Sequence, residues 1–424
     1  MKHHFALLCY RLAILILTPI LIIALLLRSI NHKAYRQRIS ERLGLLPKHF
    51  SANGIVIHAA SVGEVLALKP LVQALIAKSP NQIITFTTFT PTGSAQVKQH
   101  FGDQVQHCYL PLDNPISSAL FLAKLKPQKL ILMETELWPN LIAQAKNAGI
   151  SIQLINARLS NKSMKSYSKL TALITPCLQR FDSILCQSVE NRDNFLALGA
   201  NPETTAVSGN LKYDVKSTSQ IEEKQKELAS FIKTSRPIWL VASTHPGDEE
   251  IALNAMAQII ENIPDLLLII VPRHLERFDE IAKQSSQRFS TARRSEKSDV
   301  QANHQVWILD SLGELMAAYS LPDIVTMGGS FSTIGGHNPL EPAFYRKPII
   351  VGPDMKNFNE VMDKMRANQG VIELIEANFD TQLSEQVQRI LNDKALSDTL
   401  GENARTVVDE NQGATQLTLE KISQ

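Results

Sequence analysis

Short apolar runs rich in β-branched residues alternate with helical patterns along most of this chain, from Gly54 onwards. Strands that alternate with helices predict parallel sheets joined by right-handed crossovers. The runs are apolar throughout, as expected of strands that helices cover on both faces. One series occupies residues 54–60, 82–89, 129–133, 150–156 and 183–188, and a second occupies residues 237–243, 266–272, 305–310, 323–327 and 348–352. The sequence therefore predicts an α/β fold with two Rossmann-like domains.

A polar and charged stretch, residues 215–236, separates the two series and predicts a linker that contains a surface helix. A chain of 424 residues is also too long for one compact core. We therefore predict a first domain over residues 33–214 and a second over residues 237–424, facing each other across a cleft. We also expect that a C-terminal helix can cross back from the second domain to the first. The polar segment 288–305 is predicted to be a solvated loop.

The N-terminus carries an apolar segment, residues 12–27, which only Thr18 interrupts. Its length of about 16 residues gives roughly 24 Å of helix, short of the ~30 Å hydrocarbon core of a bilayer, but extension upstream to Phe5 would let it span. A cleaved signal peptide is the alternative, although no small-x-small cleavage site follows the run. We therefore predict that residues 1–32 form an uncleaved membrane anchor.

Basic residues follow this segment more densely than they precede it. Only Lys2 and Arg11 lie at its start, whereas the residues after it include Arg28, Lys33, Arg36, Arg38 and Arg42. Because cytoplasmic flanks carry the excess of Lys and Arg, the body of the protein is predicted to lie in the cytoplasm. The same basic stretch is expected to bind anionic headgroups of membrane lipids.

Charge and cysteine content argue against several classes of function. The 43 basic and 41 acidic residues give a formal net charge of +2, without the basic excess that is typical of a nucleic-acid-binding protein. The four cysteines lie far apart, which indicates neither a disulfide framework nor a zinc site. No Asp-x-Asp pair and no His/Cys cluster has metal-ligand spacing. We therefore predict an activity that uses neither a metal nor a cofactor.

Polar residues follow several strands of the first series, at the edge where open α/β sheets bind ligands. Glu64 ends the motif HAASVGE, Glu134 lies in METELWPN, and Lys212 lies in SGNLKYD. Simpler interpretations stay open, because Glu64 in a first helical turn would complement the helix dipole and Lys212 would be an exposed lysine. Glu136 is interpreted as a helix cap, which leaves Glu134 as the better functional candidate.

The second series carries features of a nucleotide site. Arg273 ends one strand, where a guanidinium can bind phosphate. A glycine-rich block precedes Asn338, and such a loop before a helix N-terminus is a phosphate-binding pattern. A purely local explanation also exists, in which Asn338 caps the helix, Pro339 is its first residue and Glu341 completes a capping box.

Taken in order, the apolar anchor and the motifs HAASVGE, METELWPN, NARLS, SGNLKYD, PRH, LGE and GGHNPLEP resemble the Kdo transferases, which transfer 3-deoxy-D-manno-octulosonic acid (Kdo). The resemblance covers essentially the whole chain. It implies a GT-B glycosyltransferase fold, CMP-Kdo as the donor and the lipid A precursor lipid IVA as the acceptor. It also implies a place in lipopolysaccharide core biosynthesis at the cytoplasmic side of the inner membrane.

The resemblance further implies roles for individual residues. Glu64 is implied to be the proton acceptor, and Glu134 and Lys212 are implied to stabilise the transition state of an inverting transfer. The CMP site is implied to include Pro272, Arg273, Leu312, Gly313, Glu314, Asn338, Pro339, Leu340 and Glu341. Two alternatives stay open: another membrane-associated GT-B transferase that uses a nucleoside-diphosphate sugar, and a catalytically inactive, membrane-tethered nucleotide sensor.

Overall fold

The computed structural model describes residues 2–375 and 378–423. The chain divides into two compact units: residues 1–214 with 412–424 form the first, and residues 215–411 form the second. The C-terminal segment thus belongs to the first unit. Both units are built on parallel sheets covered by helices, which confirms the predicted α/β fold.

In the described residues, the first unit has seven strands: β1 (Ile55–Ala59), β2 (Ile84–Thr88), β3 (Gln106–Tyr109), β4 (Lys129–Met133), β5 (Ser151–Ala157), β6 (Ser183–Cys186) and β7 (Thr205–Val207). They form one parallel sheet in the order β3-β2-β1-β4-β5-β6-β7. The strand order reverses between β1 and β4. Ligands of open α/β sheets bind at such a switch point, beyond the carboxyl ends of the strands.

Helices cover both faces of this sheet. The α-helices in the described part of this unit are α1 (Lys2–Asn31), α2 (Ile39–Arg42), α3 (Val62–Lys78), α4 (Pro91–Phe101), α5 (Pro115–Leu125), α6 (Pro139–Asn147), α7 (Asn161–Tyr167), α8 (Thr171–Leu178), α9 (Val189–Ala197) and α18 (Ala414–Ser423). Successive residues of β4 enter opposite cores, with Leu130 and Leu132 on one side and Ile131 and Met133 on the other. Burial of both faces explains why the strand sequences are apolar throughout.

The described part of the second unit repeats this plan with β8 (Ile238–Thr244), β9 (Leu267–Pro272), β10 (Thr291–Arg293), β11 (Val306–Ile308), β12 (Ile324–Met327), β13 (Ile349–Val351) and β14 (Ile372–Glu373). The parallel order is β10-β11-β9-β8-β12-β13-β14, so the switch point lies between β8 and β12. The helices are α10 (Ser219–Phe231), α11 (Asp248–Ile259), α12 (Phe278–Ser286), α13 (Leu315–Ala318), α14 (Leu340–Phe344), α15 (Asn359–Ala367), α16 (Phe379–Asn392) and α17 (Lys394–Asp409).

The predicted solvated loop over residues 288–305 is wrong in its first part. Residues 291–293 form the edge strand β10, and Arg294 is buried in ion pairs with Glu227 and Glu314. The polar composition of this segment thus reflects buried charge pairs as well as solvent exposure. Three other edge strands, β3, β7 and β14, are also absent from the prediction, because they are too short or too polar to stand out.

The helix α1 is long and apolar enough to cross a membrane, with a mean hydropathy of 2.5 over its most apolar part. One such helix near an N-terminus is a weak indication of membrane association, because signal sequences share these properties.

Candidate active site

Two predicted residues of the first unit lie at its switch point. Glu64 follows β1 in the first turn of α3, and Glu134 comes directly after β4. Since β1 and β4 are neighbours and parallel, both carboxylates emerge at the same edge of the sheet.

Glu64 is fixed by contacts around the start of α3. Its Oε2 accepts a hydrogen bond from the backbone N–H of Ala60 at 2.8 Å, and its Oε1 accepts one from the Ser61 hydroxyl at 2.7 Å. Ser61 is also the N-cap of the helix and accepts from the Glu64 N–H. Glu64 therefore does help to start the helix, as the simpler interpretation holds. A carboxylate has about four acceptor positions, so two remain for a ligand.

The basicity of Glu64 is decided by its surroundings. The residue is only 8% exposed, and burial raises the pKa of its carboxyl group above the ordinary value. The negative charge of Glu134 raises this pKa further, whereas the hydrogen bonds from Ser61 and Ala60 lower it. The net shift is upward, which makes Glu64 a stronger proton acceptor than a solvated glutamate.

Glu134 adopts a left-handed backbone conformation, with φ of 58°, that is uncommon for a residue other than glycine. Its N–H donates to the Ile155 carbonyl at 3.0 Å, which holds this turn against the end of β5. Its Oε1 lies 3.6 Å from Nζ of Lys212, and both side chains are about one-fifth exposed, at 20% and 21%. Strained backbone of this kind is frequent at functional sites.

Lys212 is brought to Glu134 by the turn after β7. Asn210 caps that turn by accepting from the Lys212 N–H at 3.0 Å. Asn156 at the end of β5 accepts from the Leu211 N–H at 3.0 Å, which ties the turn to a neighbouring strand. Asp214 accepts from the N–H groups of Gly413 and Thr415 and so attaches the C-terminal segment to the same turn. The position of the Lys212 ammonium is therefore set by tertiary contacts.

In the second unit, the switch point is occupied by histidines. Nε2 of His245, after β8, lies 2.9 Å from Nε2 of His337, in the loop after β12. Burial and the charges of nearby basic groups lower the pKa of His245 to about 4 and that of His337 to about 3. Both rings are therefore neutral at pH 7, so that one can donate and the other accept.

The loops at this switch point are packed very closely. Asp248 accepts hydrogen bonds from the N–H groups of His245 at 2.8 Å and Gly329 at 2.7 Å, and so joins the loops after β8 and β12. A Cβ atom on Gly328 would lie 2.6 Å from the Ser243 carbonyl oxygen. Part of the glycine-rich pattern is thus needed for packing, independently of any ligand.

Arg273 leaves the end of β9 at the same edge. Its N–H donates to the Thr244 carbonyl at 3.1 Å, and its side chain is exposed. Its positive charge contributes to the lowered pKa values of His245 and His337, which places the guanidinium near the histidine pair. Pro272 is the last residue of β9 and is buried.

The segment Leu312–Glu314 follows β11, the strand beside β9. The Glu314 carboxylate is buried and accepts two hydrogen bonds from Arg294, at 2.9 and 3.2 Å, and another from Ser311. The Gly313 carbonyl accepts from Lys224 at 2.9 Å, and Leu312 is exposed. The side chain of Glu314 thus holds the loop in place, and only the rest of the segment is free to meet a ligand directly.

Asn338, Pro339, Leu340 and Glu341 lie after β12. The predicted cap is shifted by one residue, because α14 begins at Leu340 and its N-cap is Pro339. Asn338 still accepts from the Leu340 N–H at 3.2 Å, and its amide lies 3.5 Å from Oε1 of Glu341. The apolar Leu340 is buried, whereas the two polar members, Asn338 and Glu341, are half-buried.

Comparison with known proteins identifies the family. A family model described as 3-deoxy-D-manno-octulosonic-acid transferase (kdotransferase) matches residues 37–215. The 3-deoxy-D-manno-octulosonic acid transferase of Haemophilus influenzae is 41% identical over 416 residues, which are 97% of this chain and 97% of that protein. The chain belongs to the Kdo transferase family. Its members are glycosyltransferases, and the resemblance read from the motifs is thereby confirmed.

A second Kdo transferase, from Bordetella pertussis, is 34% identical over 378 residues, 86% of each chain. Among solved structures, the UDP-GlcNAc 2-epimerase of Neisseria meningitidis with UDP-GlcNAc bound has a TM-score of 0.55. It is 14% identical and covers 88% of this chain and all of that one. At this identity the likeness concerns the fold alone, which is of the GT-B type.

Two residues beside the candidate site of this Kdo transferase were not selected from the sequence. Glu136 was interpreted as a cap, but its Oε2 accepts from Nε1 of Trp138 at 2.7 Å and lies 3.4 Å from Nε2 of His58. His58 is fully buried in β1, and its Nδ1 lies 3.0 Å from the Thr87 hydroxyl. The signal in the sequence that could have selected His58 is a histidine within an otherwise apolar strand.

Proposed function

We propose that this Kdo transferase transfers Kdo from CMP-Kdo to lipid IVA, releasing CMP, in lipopolysaccharide core biosynthesis. The observation that carries the proposal is the arrangement of Glu64, Glu134 and Lys212 at the switch point of the first sheet. It supplies a buried base and an ion pair at an edge of the sheet where ligands bind.

Glu64 acts as the general base in this proposal. A sugar hydroxyl must lose its proton as it attacks the anomeric carbon of the donor, and a carboxylate with a raised pKa accepts that proton more readily. The contacts from Ala60 and Ser61 fix the carboxylate and leave acceptor capacity toward the substrate. Direct attack by the hydroxyl needs no covalent intermediate on the protein, so the transfer inverts the anomeric configuration.

Lys212 and Glu134 act as electrostatic partners of the transition state. The ammonium of Lys212 offsets the negative charge that builds on the departing CMP, and Glu134 orients this ammonium. The carboxylate of Glu134 also stabilises the positive charge that develops on the ketosyl centre. CMP leaves with a single phosphate, and side-chain charges such as that of Lys212 can offset the charge of one phosphate.

We assign the CMP moiety to the second unit, with Pro272 and Arg273, Leu312–Glu314 and Asn338–Glu341 as its binding loops. All three loops follow adjacent or nearly adjacent parallel strands, β11, β9 and β12, around the switch point. The exposed guanidinium of Arg273 binds phosphate, and Glu341, half-buried at the start of α14, is assigned to sugar hydroxyls. The protein is proposed to act at the cytoplasmic side of the inner membrane, where the basic flank of α1 meets anionic lipids.

The test is to incubate the purified full-length protein with lipid IVA and freshly generated CMP-Kdo and to read product masses. We expect lipid IVA to gain Kdo with release of CMP, and the Glu64→Gln variant to give no product on the same time scale. UDP-sugars serve as the competing donors. Transfer from a UDP-sugar, without transfer from CMP-Kdo, would reject the proposed donor.

A further inference from the structure

The N-terminal helix α1 packs on helices α6 and α8 of the first unit and on the turn at residues 33–36. Its partly or fully buried residues recur every three or four positions, so they form one continuous stripe on the helix. The stripe includes Leu7, Arg11, Ile14, Thr18, Ile22, Leu25 and Ser29, and Ala6, Tyr10 and Leu15 beside it are also partly buried. A helix that left the domain at one end to cross a bilayer would be covered only near that end.

Polar contacts fix the first half of this helix to the unit. The Tyr10 hydroxyl donates to Oδ2 of Asp113 at 3.0 Å, and Nε of Arg11 donates to Oδ1 of Asn140 at 3.0 Å. About two helical turns further along, Thr18 accepts from Nδ2 of Asn114 at 3.3 Å. The ring of His3 lies 3.2 Å from the carbonyl oxygen of Ala172. These contacts extend over roughly 22 Å of helix axis.

The opposite face of α1 is apolar and exposed. Its large side chains include Phe5, Leu12, Ile16, Ile20, Ile23, Leu27 and Ile30, and Ile16 is 72% exposed. An uninterrupted apolar face of this length is unusual on a protein surface in water and fits a lipid environment. The sequence before Glu41 contains no acidic residue, whereas Arg28, Lys33 and Arg36 are exposed.

A membrane-spanning position of α1 conflicts with these contacts. If the helix stood upright in the bilayer, Asp113, Asn114 and Asn140 would enter the hydrocarbon core with it, at a high desolvation cost. We propose instead that α1 lies in the plane of the membrane surface, with its exposed face among the lipid acyl chains and its other face on the first unit. This geometry rests on the membrane location given under the proposed function.

High hydropathy is not an obstacle to this arrangement. Isolated in-plane helices need a polar face of their own. Here the polar side is supplied by the first unit, because Asp113, Asn114 and Asn140 pair with the polar side chains of Tyr10, Thr18 and Arg11. Together, α1 and the first unit therefore have an apolar face, given by the helix, and a polar side, given by the unit.

A second element extends the proposed lipid-facing surface. Helix α8 packs on α1, and the segment before it, residues 161–170, has exposed Lys162, Lys165 and Lys169 and exposed Leu170. This segment contains no acidic residue. Lysines beside an apolar face are complementary to anionic headgroups. We therefore assign an anionic bilayer as the partner of this surface.

The first test determines on which side of the membrane the start of α1 lies. Cys9 is exposed and the other cysteines are buried, so Cys9→Ser gives a background for single-cysteine labelling. In that full-length background, His4→Cys is treated with a membrane-impermeant maleimide in spheroplasts and in inverted inner-membrane vesicles. The control is Lys394→Cys, a residue with an 88% exposed side chain on α17.

An in-plane helix predicts that both cysteines react only in inverted vesicles. Reaction of His4→Cys in spheroplasts would show a spanning helix and overturn the inference, while leaving the membrane location intact. Recovery of the wild-type chain in the soluble fraction would instead reject the membrane location itself, and the inference with it.

The second test measures depth in vesicles of phosphatidylethanolamine and phosphatidylglycerol. Cysteines placed singly at Leu12, Ile16, Ile20, Ile23 and Leu27 carry a fluorophore that spin-labelled lipids quench according to depth. An in-plane helix gives similar shallow depths at all five sites, whereas a spanning helix gives a change of roughly 22 Å from first to last. A progression of that size would overturn the inference.

The lysine segment is tested by neutralisation. The triple variant Lys162→Gln, Lys165→Gln and Lys169→Gln should bind the same vesicles about 100-fold more weakly, at roughly fivefold per lysine. The matched control replaces Lys283, Lys297 and Lys394 of the second unit by Gln. Equal binding of the two triple variants would show that the lysine segment is not part of the proposed lipid-facing surface.

Discussion

The Nζ atom of Lys212 lies 3.6 Å from Oε1 of Glu134, so the ammonium of a turn after β7 meets a carboxylate that follows β4. Both side chains remain about one-fifth exposed, and an ion pair near the surface adds only about 0.2–1 kcal/mol to stability. Meanwhile, the charge of Glu134 raises the pKa of Glu64. The pair is therefore expected to affect the reaction much more than the fold.

The substitution Glu64→Gln is nearly isosteric and should preserve the fold and the affinity for CMP. It removes the proposed base, so turnover with lipid IVA should fall by about 10²–10⁴-fold. Single-turnover rates, with melting temperature and CMP titration as controls, measure this effect. If more than about a tenth of the rate remains while chemistry is rate-limiting, Glu64 only starts the helix, and Glu134 is the next candidate base.

The raised pKa of Glu64 has two consequences for pH dependence. A base must be deprotonated, so kcat/KM should rise with pH through a pKa above 4.5, the ordinary glutamate value. Glu134→Gln removes a charge that raises this pKa, and the acidic limb of the normalised profile should move to lower pH. An unmoved limb would show that Glu134 does not influence the base.

The raised pKa of Glu64 also makes stability depend on pH: kcat/KM rises with pH, whereas the free energy of unfolding falls. Because the folded state holds the Glu64 proton more tightly than the unfolded state, its contribution to the free energy of unfolding decreases as pH rises from 4.5 through the folded pKa. Glu64→Gln should lack this decrease. Urea unfolding of both proteins across that pH range checks it, and identical pH slopes would contradict it.

Lys212→Met should lower the single-turnover rate by about 10²–10³-fold, because it removes a charge aimed at the transition state. Combination with Glu134→Gln should cost less than the product of the two single effects, because the two side chains act as a pair. Melting temperatures should change little. Strictly multiplicative rate losses would indicate that the two residues act independently.

Arg273 and Glu314 should differ in what they affect. Arg273→Ala removes an exposed guanidinium and should weaken CMP binding by about 10- to 100-fold without changing the melting temperature. Arg389→Ala, also exposed in the second unit, is the matched control. Glu314→Ala should instead lower stability by about 1–3 kcal/mol, because Arg294 loses a buried partner. Normal CMP binding by Arg273→Ala would contradict its assignment.

Chelation should leave the reaction unaffected. The sequence lacks an Asp-x-Asp pair, and the proposed function assigns the stabilisation of the leaving phosphate to basic side chains. Activity of the purified protein is therefore expected to be the same before and after dialysis against EDTA. Loss of activity that magnesium restores would contradict the prediction.

The sequence by itself determined the fold class and the strand ends that carry the chemistry. Runs such as 129–133 are apolar throughout because both faces of the sheet are buried, and that pattern is local. The prediction of β4 matches the structure residue for residue. Glu64 and Glu134 could be selected because parallel topology brings the carboxyl ends of strands to one edge.

Only the tertiary structure decided which charges meet and how they are tuned. The contact of Lys212 with Glu134 depends on a strand order that local pattern does not encode, and the raised pKa of Glu64 depends on burial. The pairing of Glu314 with Arg294 likewise joins two segments that looked unrelated, one of them apparently a solvated loop. For α1, hydropathy measured how apolar the helix is, but its contacts with Asp113, Asn114 and Asn140 arise from side chains distant in sequence. Pairing and burial are properties of the packed chain, because both depend on residues brought together only by folding.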